Sequence, residues 1–135
     1  MLAIRVCIDV DDLDRAIEFF TTGIGLRLGR RFDNRLAEML GASSPIDLLA
    51  HPPGSHPIEH SNSLRDYTRH WTPIHLDFIV SDVKAAVTRA LAAGATQERP
   101  IRDEPYGQIA NLADPFGNGI CLIQMNERGY DALLD

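Results

Sequence analysis

Two stretches decide the fold: Ile4-Arg-Val-Cys-Ile-Asp-Val-Asp-Asp-Leu-Asp-Arg-Ala-Ile-Glu-Phe-Phe20 and Ile74-His-Leu-Asp-Phe-Ile-Val-Ser-Asp-Val83. Each begins with strict alternation, the mark of a half-buried strand. Ile4, Val6, Ile8 and Val10 share one face and leave Arg5, Cys7 and Asp9 on the other, while Ile74, Leu76, Phe78 and Val80 stand opposite His75, Asp77 and Ile79. Each then changes to helical spacing. Leu13, Ala16, Ile17 and Phe20 form one apolar stripe, and Val83, Ala86, Val87, Ala90 and Leu91 form another. Asp11 or Asp12 can cap the first helix and Ser81 or Asp82 the second; Gly23 or Gly25 and Gly94 can end them.

Working outward, the first helix is followed by strand patterns at 26–32, 35–40 and 46–51, the second by patterns at 95–99, 108–113 and 119–125. The chain repeats itself. Val10-Asp-Asp-Leu13 lies over Val80-Ser-Asp-Val83 at a shift of 70, and Ile46-Asp-Leu-Leu49 over Ile120-Cys-Leu-Ile123 at a shift of 74. Two βαβββ modules follow, residues 1–51 and 72–126, within one domain spanning 1–135. A Pro/Ser/His-rich connector, 52–71, joins them, and a tail, 127–135, either forms a short helix through Tyr130, Leu133 and Leu134 or frays.

Composition narrows the function. With 135 residues, 44% hydrophobic and 24% charged, the chain is neither disordered nor collagen-like. No apolar run approaches the roughly 20 residues of a membrane span. The net charge of -6, without a Lys/Arg patch, argues against nucleic acid. Cys7 and Cys121 are too few for a disulfide framework and read as free thiols, and the N-terminus reads as a strand rather than a signal peptide. A cytoplasmic protein with no membrane or nucleic-acid partner is expected. His51, His56, His60, His70 and His75 do not form the His-Glu-x-x-His order of zinc proteases, and no phosphate loop, dinucleotide fingerprint, Gly-x-Ser-x-Gly elbow or Cys-x-x-Cys pair is present.

The tandem modules, together with Gly23-Ile-Gly-Leu26, Gly94-Ala95, Pro105-Tyr-Gly107 and Asp114-Pro-Phe-Gly-Asn118 before the last strand, resemble the vicinal oxygen chelate superfamily. That group includes glyoxalase I, bleomycin-resistance proteins, methylmalonyl-CoA epimerase and extradiol dioxygenases. The resemblance implies an α+β fold in which the two modules form a curled mixed sheet around a ligand cavity, and it implies a homodimer. Metal-dependent members carry ligands on the first and last strand of each module. Those positions here are Arg5, Asp47, His75 and Cys121. Only His75 keeps the residue type, Arg5 cannot ligate, and Cys121 would make a soft, zinc-like site. No metal ligands and no cofactor are therefore expected, a divalent metal being disfavoured.

Without a metal, Arg5 and Asp47 either pair across the sheet or leave Arg5 to grip an oxyanion. His75 serves as general base or as hydrogen-bond donor, with Asp77 orienting it or solvated at the rim. Cys121 is either a small buried apolar residue or a nucleophile. Trp71 and Tyr106 with Phe32 and Phe116 either wall a pocket or fill the core. The expected ligand-binding set is Arg5, Cys7, Asp47, Trp71, His75, Asp77, Tyr106 and Cys121. The leading expectation is a protein that binds a small organic molecule. The alternative is a glyoxalase-, isomerase- or lyase-type enzyme in which His75, helped by Asp47 or Asp77, shuttles a proton.

Overall fold

A computed structural model describes residues 1–134. The chain divides into two compact units, Met1–Thr68 and Arg69–Asp135. In the first unit, β1 (Val6–Val10), α1 (Leu13–Glu18), β2 (Arg27–Phe32), β3 (Leu36–Leu40) and β4 (Ile46–Ala50) give a four-stranded sheet of order β1-β4-β3-β2. Asp12 caps α1 by accepting from the Arg15 amide at 3.1 Å. The helix continues into a π-helical turn over Phe19–Gly23, and Gly25 at φ +96 lets the chain leave it. Leu13, Ala16, Phe19 and Phe20 are buried, the two phenylalanines edge to face at 5.1 Å, against the β3 and β4 face that carries Ala37, Met39, Ile46 and Leu48.

The second unit repeats this plan. It comprises β5 (Leu76–Ile79), α2 (Val83–Ala92), β6 (Thr96–Gln97), β7 (Arg102–Glu104), β8 (Gly107–Ala113) and β9 (Gly119–Met125). Asp82 caps α2 through the Ala85 amide at 3.1 Å, with φ −142 and ψ 101 against −138 and 105 at Asp12, so the shift of 70 holds at the level of the backbone. Gln124 Oε1 also accepts from Val83 N at 2.9 Å, tying the start of α2 to β9. Gly94, at φ +116, ends the helix turn.

Strand pairing matches the two shifts. Val6 faces Ile46 and Cys7 faces Asp47 in the parallel β1–β4 pair, while Leu76 faces Ile120 and Asp77 faces Cys121 in the parallel β5–β9 pair. Several expected boundaries differ. The first strands begin at Val6 and Leu76, leaving Ile4 and Ile74 outside them at 69% and 82% exposure. The pattern at 95–99 shortens to Thr96–Gln97, and Arg102–Glu104 adds a strand absent from the sequence reading. Both segments pair with β8, so they are one edge strand interrupted at Pro100. Glu98 N and Arg99 N both donate to Asn111 O, and proline, lacking a donor, cannot continue the ladder.

Residues 52–68 belong to the first unit. Arg65 holds them, donating to Asp9 at 2.7 Å, and Tyr67 donates its hydroxyl to His51 O at 2.8 Å. The tail is a 3-10 turn, Gly129–Leu133, with Tyr130 edge-on to Tyr106. Among the described residues no helix is long and apolar enough to cross a membrane.

Candidate functional site

In each unit the helix covers one face of the sheet, and alternation sends the intervening side chains to the other. On that second face of the first unit, strand register sets Cys7, Asp47 and Glu38 in one row across β1, β4 and β3. Cys7 is exposed. Arg5, two residues before Cys7, closes on the row. Its Nε donates to Asp47 Oδ2 at 2.8 Å, and its Nη2 donates to Asp47 Oδ1 and to Glu38 Oε2, both at 2.6 Å. The expected Arg5–Asp47 pair is therefore present, and it has a second carboxylate that the sequence reading missed. Glu38 stands between Leu36 and Leu40 on one alternating face, a lone charge mid-strand, and that was the available signal.

Glu38 also accepts from Arg30, Nε at 3.1 Å and Nη2 at 2.9 Å. The irregular register of β2 between Leu28 and Arg31 makes this reach. A Cβ on Gly29 would lie 2.9 Å from Glu38 Oε1, so only glycine leaves the carboxylate its place. Arg30 and then Arg5 hold the Glu38 carboxyl down at about 2, and Asp47 followed by Glu38 pushes the Arg5 guanidinium above its ordinary value. A dication does not fit here, because Arg5 already places a positive charge on both carboxylates and would repel a second.

The matching row of the second unit is Asp77, Cys121 and Asn111, across β5, β9 and β8. His75 Nε2 lies 3.1 Å from Asp77 Oδ1, so Asp77 is the carboxylate that orients this histidine, whereas both oxygens of Asp47 are engaged by Arg5. Asn111 Nδ2 donates to Cys121 Sγ at 3.1 Å, and Arg102, paired with Glu104 at 2.8 Å, donates to Asn111 Oδ1. Burial, then the charge and hydrogen bond of Asp77, push the Cys121 thiol up to about 11. That direction favours the thiol over the thiolate, the form a nucleophile requires. Donor atoms of His75, Asp77 and Cys121 all lie within 4.8 Å of one another. They suit a soft cation only after the thiol loses the proton that this environment retains.

Tyr106 packs on the Ile109–Cys121–Ile123 cluster. Trp71 lies edge to face with His75 at 5.3 Å, under the Arg69 guanidinium at 4.6 Å, and donates Nε1–H to Glu98 at 3.1 Å. Arg69 pairs with the same Glu98, and a cavity of about 510 Å³ opens among Trp71, Glu98, Arg99 and Asn111. Phe116 is fully buried and belongs to the core. Gly119 sets the indole in place, because a Cβ there would come within 2.4 Å of two ring atoms. Gly119→Ala is expected to displace the ring and cost roughly 1–3 kcal/mol. Since Trp71 is the single tryptophan, its emission spectrum and the thermal midpoint report both effects.

A model of the glyoxalase-like domain family matches residues 5–123. Among curated proteins, the chain is similar to the anthracycline biosynthesis protein DnrV of Streptomyces peucetius, 38% identical over 63 residues that make up 47% of this chain and 22% of that protein. It is also similar to the anthracycline biosynthesis protein DauV of Streptomyces sp. (strain C5), 28% identical over 130 residues, 93% of this chain and 42% of that one. The chain spans less than half the length of either relative. Among solved structures, TnmS3, an antibiotic binding protein from Streptomyces sp. CB03234, aligns with a TM-score of 0.63 at 24% identity, over 93% of this chain and 97% of that one.

Proposed function

Because the chain belongs to the glyoxalase-like domain family, within the vicinal oxygen chelate superfamily, we propose that it binds a small organic molecule of the antibiotic type and does so without a metal. The observation that carries this reading is the Arg5 guanidinium bonded to Asp47 and Glu38, where metal-dependent relatives need free ligands. Curated relatives from anthracycline biosynthesis and a structural neighbour described as antibiotic binding support the ligand class. The chemistry needs apolar walls with a few fixed polar groups, and each unit holds such groups by a partner, Arg5 in the first and the His75–Asp77 pair in the second.

The His75–Asp77 contact favours a second reading. A carboxylate at Nε2 fixes the tautomer and leaves Nδ1 to accept a proton, which is the arrangement of a general base. In that case Asp77, not Asp47, is the positioning residue. The proposal also places the protein in the cytoplasm as a homodimer. The exposed Leu2 and Ile4 of the first unit support an apolar surface for a second copy, and sedimentation checks it.

Fluorescence titration with an anthracycline, with bleomycin and with the hemithioacetal of methylglyoxal separates the readings. Saturable binding with no product supports the binding protein. Turnover abolished by His75→Ala supports the enzyme instead. Elemental analysis after purification without chelator or affinity tag is expected to find no stoichiometric metal, and a metal lost in His75→Ala overturns the metal-free reading.

A further inference from the structure

The charges of the first unit are layered. The carboxylates lie at the bottom, Glu38 and Asp47 with side chains only 8% and 10% exposed, while Arg5 and Arg30 rise above them at 45% and 70%. Two cations and two anions cancel formally, yet the anions point inward and the cations face solvent. Each guanidinium is fastened by the same edge. Arg5 uses Nε and Nη2 on Asp47 and Glu38, Arg30 uses Nε and Nη2 on Glu38, and none of these bonds uses an Nη1. Both Nη2 atoms share Glu38 Oε2, at 2.6 and 2.9 Å, which sets the two planar cations side by side. Arg5 and Arg30 line a cavity of about 350 Å³ together with the half-exposed Phe32, with Leu36, and with the engaged carboxylates Glu38 and Asp47.

A guanidinium bound along one edge is fixed in orientation and loses little freedom when its other nitrogen meets an acceptor. An ammonium ligand finds the carboxylate oxygens already engaged, and a neutral carbonyl forgoes the charge. We propose that this cavity is a site for an aromatic carboxylate, its oxygens on the Nη1 groups of Arg5 and Arg30 and its ring against Phe32. This rests on the small-molecule reading above and assigns an acidic aromatic group to the first unit.

Three probes of one shape test it by calorimetry at pH 7: 2-naphthoate, 2-naphthamide and 2-naphthylmethylammonium. The acid is expected to bind at one site per chain, the amide about tenfold more weakly and the cation more weakly still. Arg30→Gln is expected to weaken the acid by about tenfold and the amide by clearly less, because the amide forgoes the charge, while Glu38 keeps its bond to Arg5 and the fold is retained. Phe32→Ala should weaken both, and amide shifts caused by the acid should centre on residues 30–38. Equal affinity for acid and amide overturns the proposal, as does an Arg30→Gln protein that binds the acid normally or shifts confined to the second unit. If an anthracycline binds and naphthoate does not, only this inference falls. If naphthoate binds as described and no antibiotic does, the antibiotic reading falls and the carboxylate site stands.

Discussion

Arg5→Ala is expected to lower the thermal midpoint at pH 7 by on the order of 10 °C and to weaken the response of the protein to acid. In the wild type, Glu38 titrates at about 2 instead of 4.5, because Arg30 and Arg5 bond to its ionised form. A carboxyl lowered by folding contributes stability that is complete above its unfolded value and is lost as pH falls through its folded one. The wild-type protein should therefore hold its midpoint down to about pH 5 and lose the Glu38 contribution between about 4.5 and 2. Without Arg5, Asp47 stays in the sheet with no cation bonded to it, since among the described residues its side-chain bonds come from Arg5. The variant should also lose less stability than the wild type between about pH 4.5 and 2, because one of the two cations that hold the Glu38 carboxyl down is gone. Thermal unfolding as a function of pH compares the two slopes. Adding Asp47→Asn to Arg5→Ala should recover part of the loss, a coupling that a merely local packing defect would not show.

The second large effect lies in the hairpin that sets the second unit's register. Asp114 is buried, and its Oδ1 accepts from Phe116 N at 2.8 Å and Asn118 N at 2.9 Å, its Oδ2 from Asn118 Nδ2 at 3.0 Å. Burial raises its carboxyl above the ordinary value despite these bonds, so the site is dry enough for a lost acceptor to matter. Asp114→Ala removes the acceptor of three N–H donors, two from the backbone and one from Asn118 Nδ2, beside the fully buried Phe116. A loss of about 3 kcal/mol is expected, roughly 10 °C in midpoint. Because Asn111 faces Cys121 only when β8 and β9 are in register, amide exchange should rise at both positions. Asp114→Asn keeps an acceptor and should cost clearly less.

Much of this was legible in the sequence because the modules repeat. The shifts of 70 and 74 match β1 with β5 and β4 with β9 residue for residue, so placing Asp47 beside Cys7 also places Cys121 beside Asp77. Asp12 and Asp82 announce their helices by the same chemistry at the same spacing. What escaped depends on a third strand. Glu38 meets Arg5 through the β3–β4 register, and Arg30 reaches Glu38 only through an irregularity in β2 that periodicity cannot encode. Asn111 and Arg102 were missed for the same reason. The 102–104 strand hides in a charged run between Pro100 and Pro105, with no alternation to betray it. The π-helical turn at Phe19–Gly23 escaped because the apolar stripe that predicts a helix does not distinguish one hydrogen-bond span from another.

The interrupted edge strands govern how far either sheet can grow. β2 is irregular between Leu28 and Arg31 and carries exposed Arg27, Arg30 and Arg31, and the opposite-numbered edge in the second unit breaks at Pro100. Neither offers the straight, uncharged row of amides that an incoming strand requires. β1 and β5 are unbroken, and among the described residues each pairs with one strand only. Either sheet can accept one neighbour along that side and none along the other. Growth of a sheet by strand addition is confined to its β1 or β5 side, which works against open-ended fibrils.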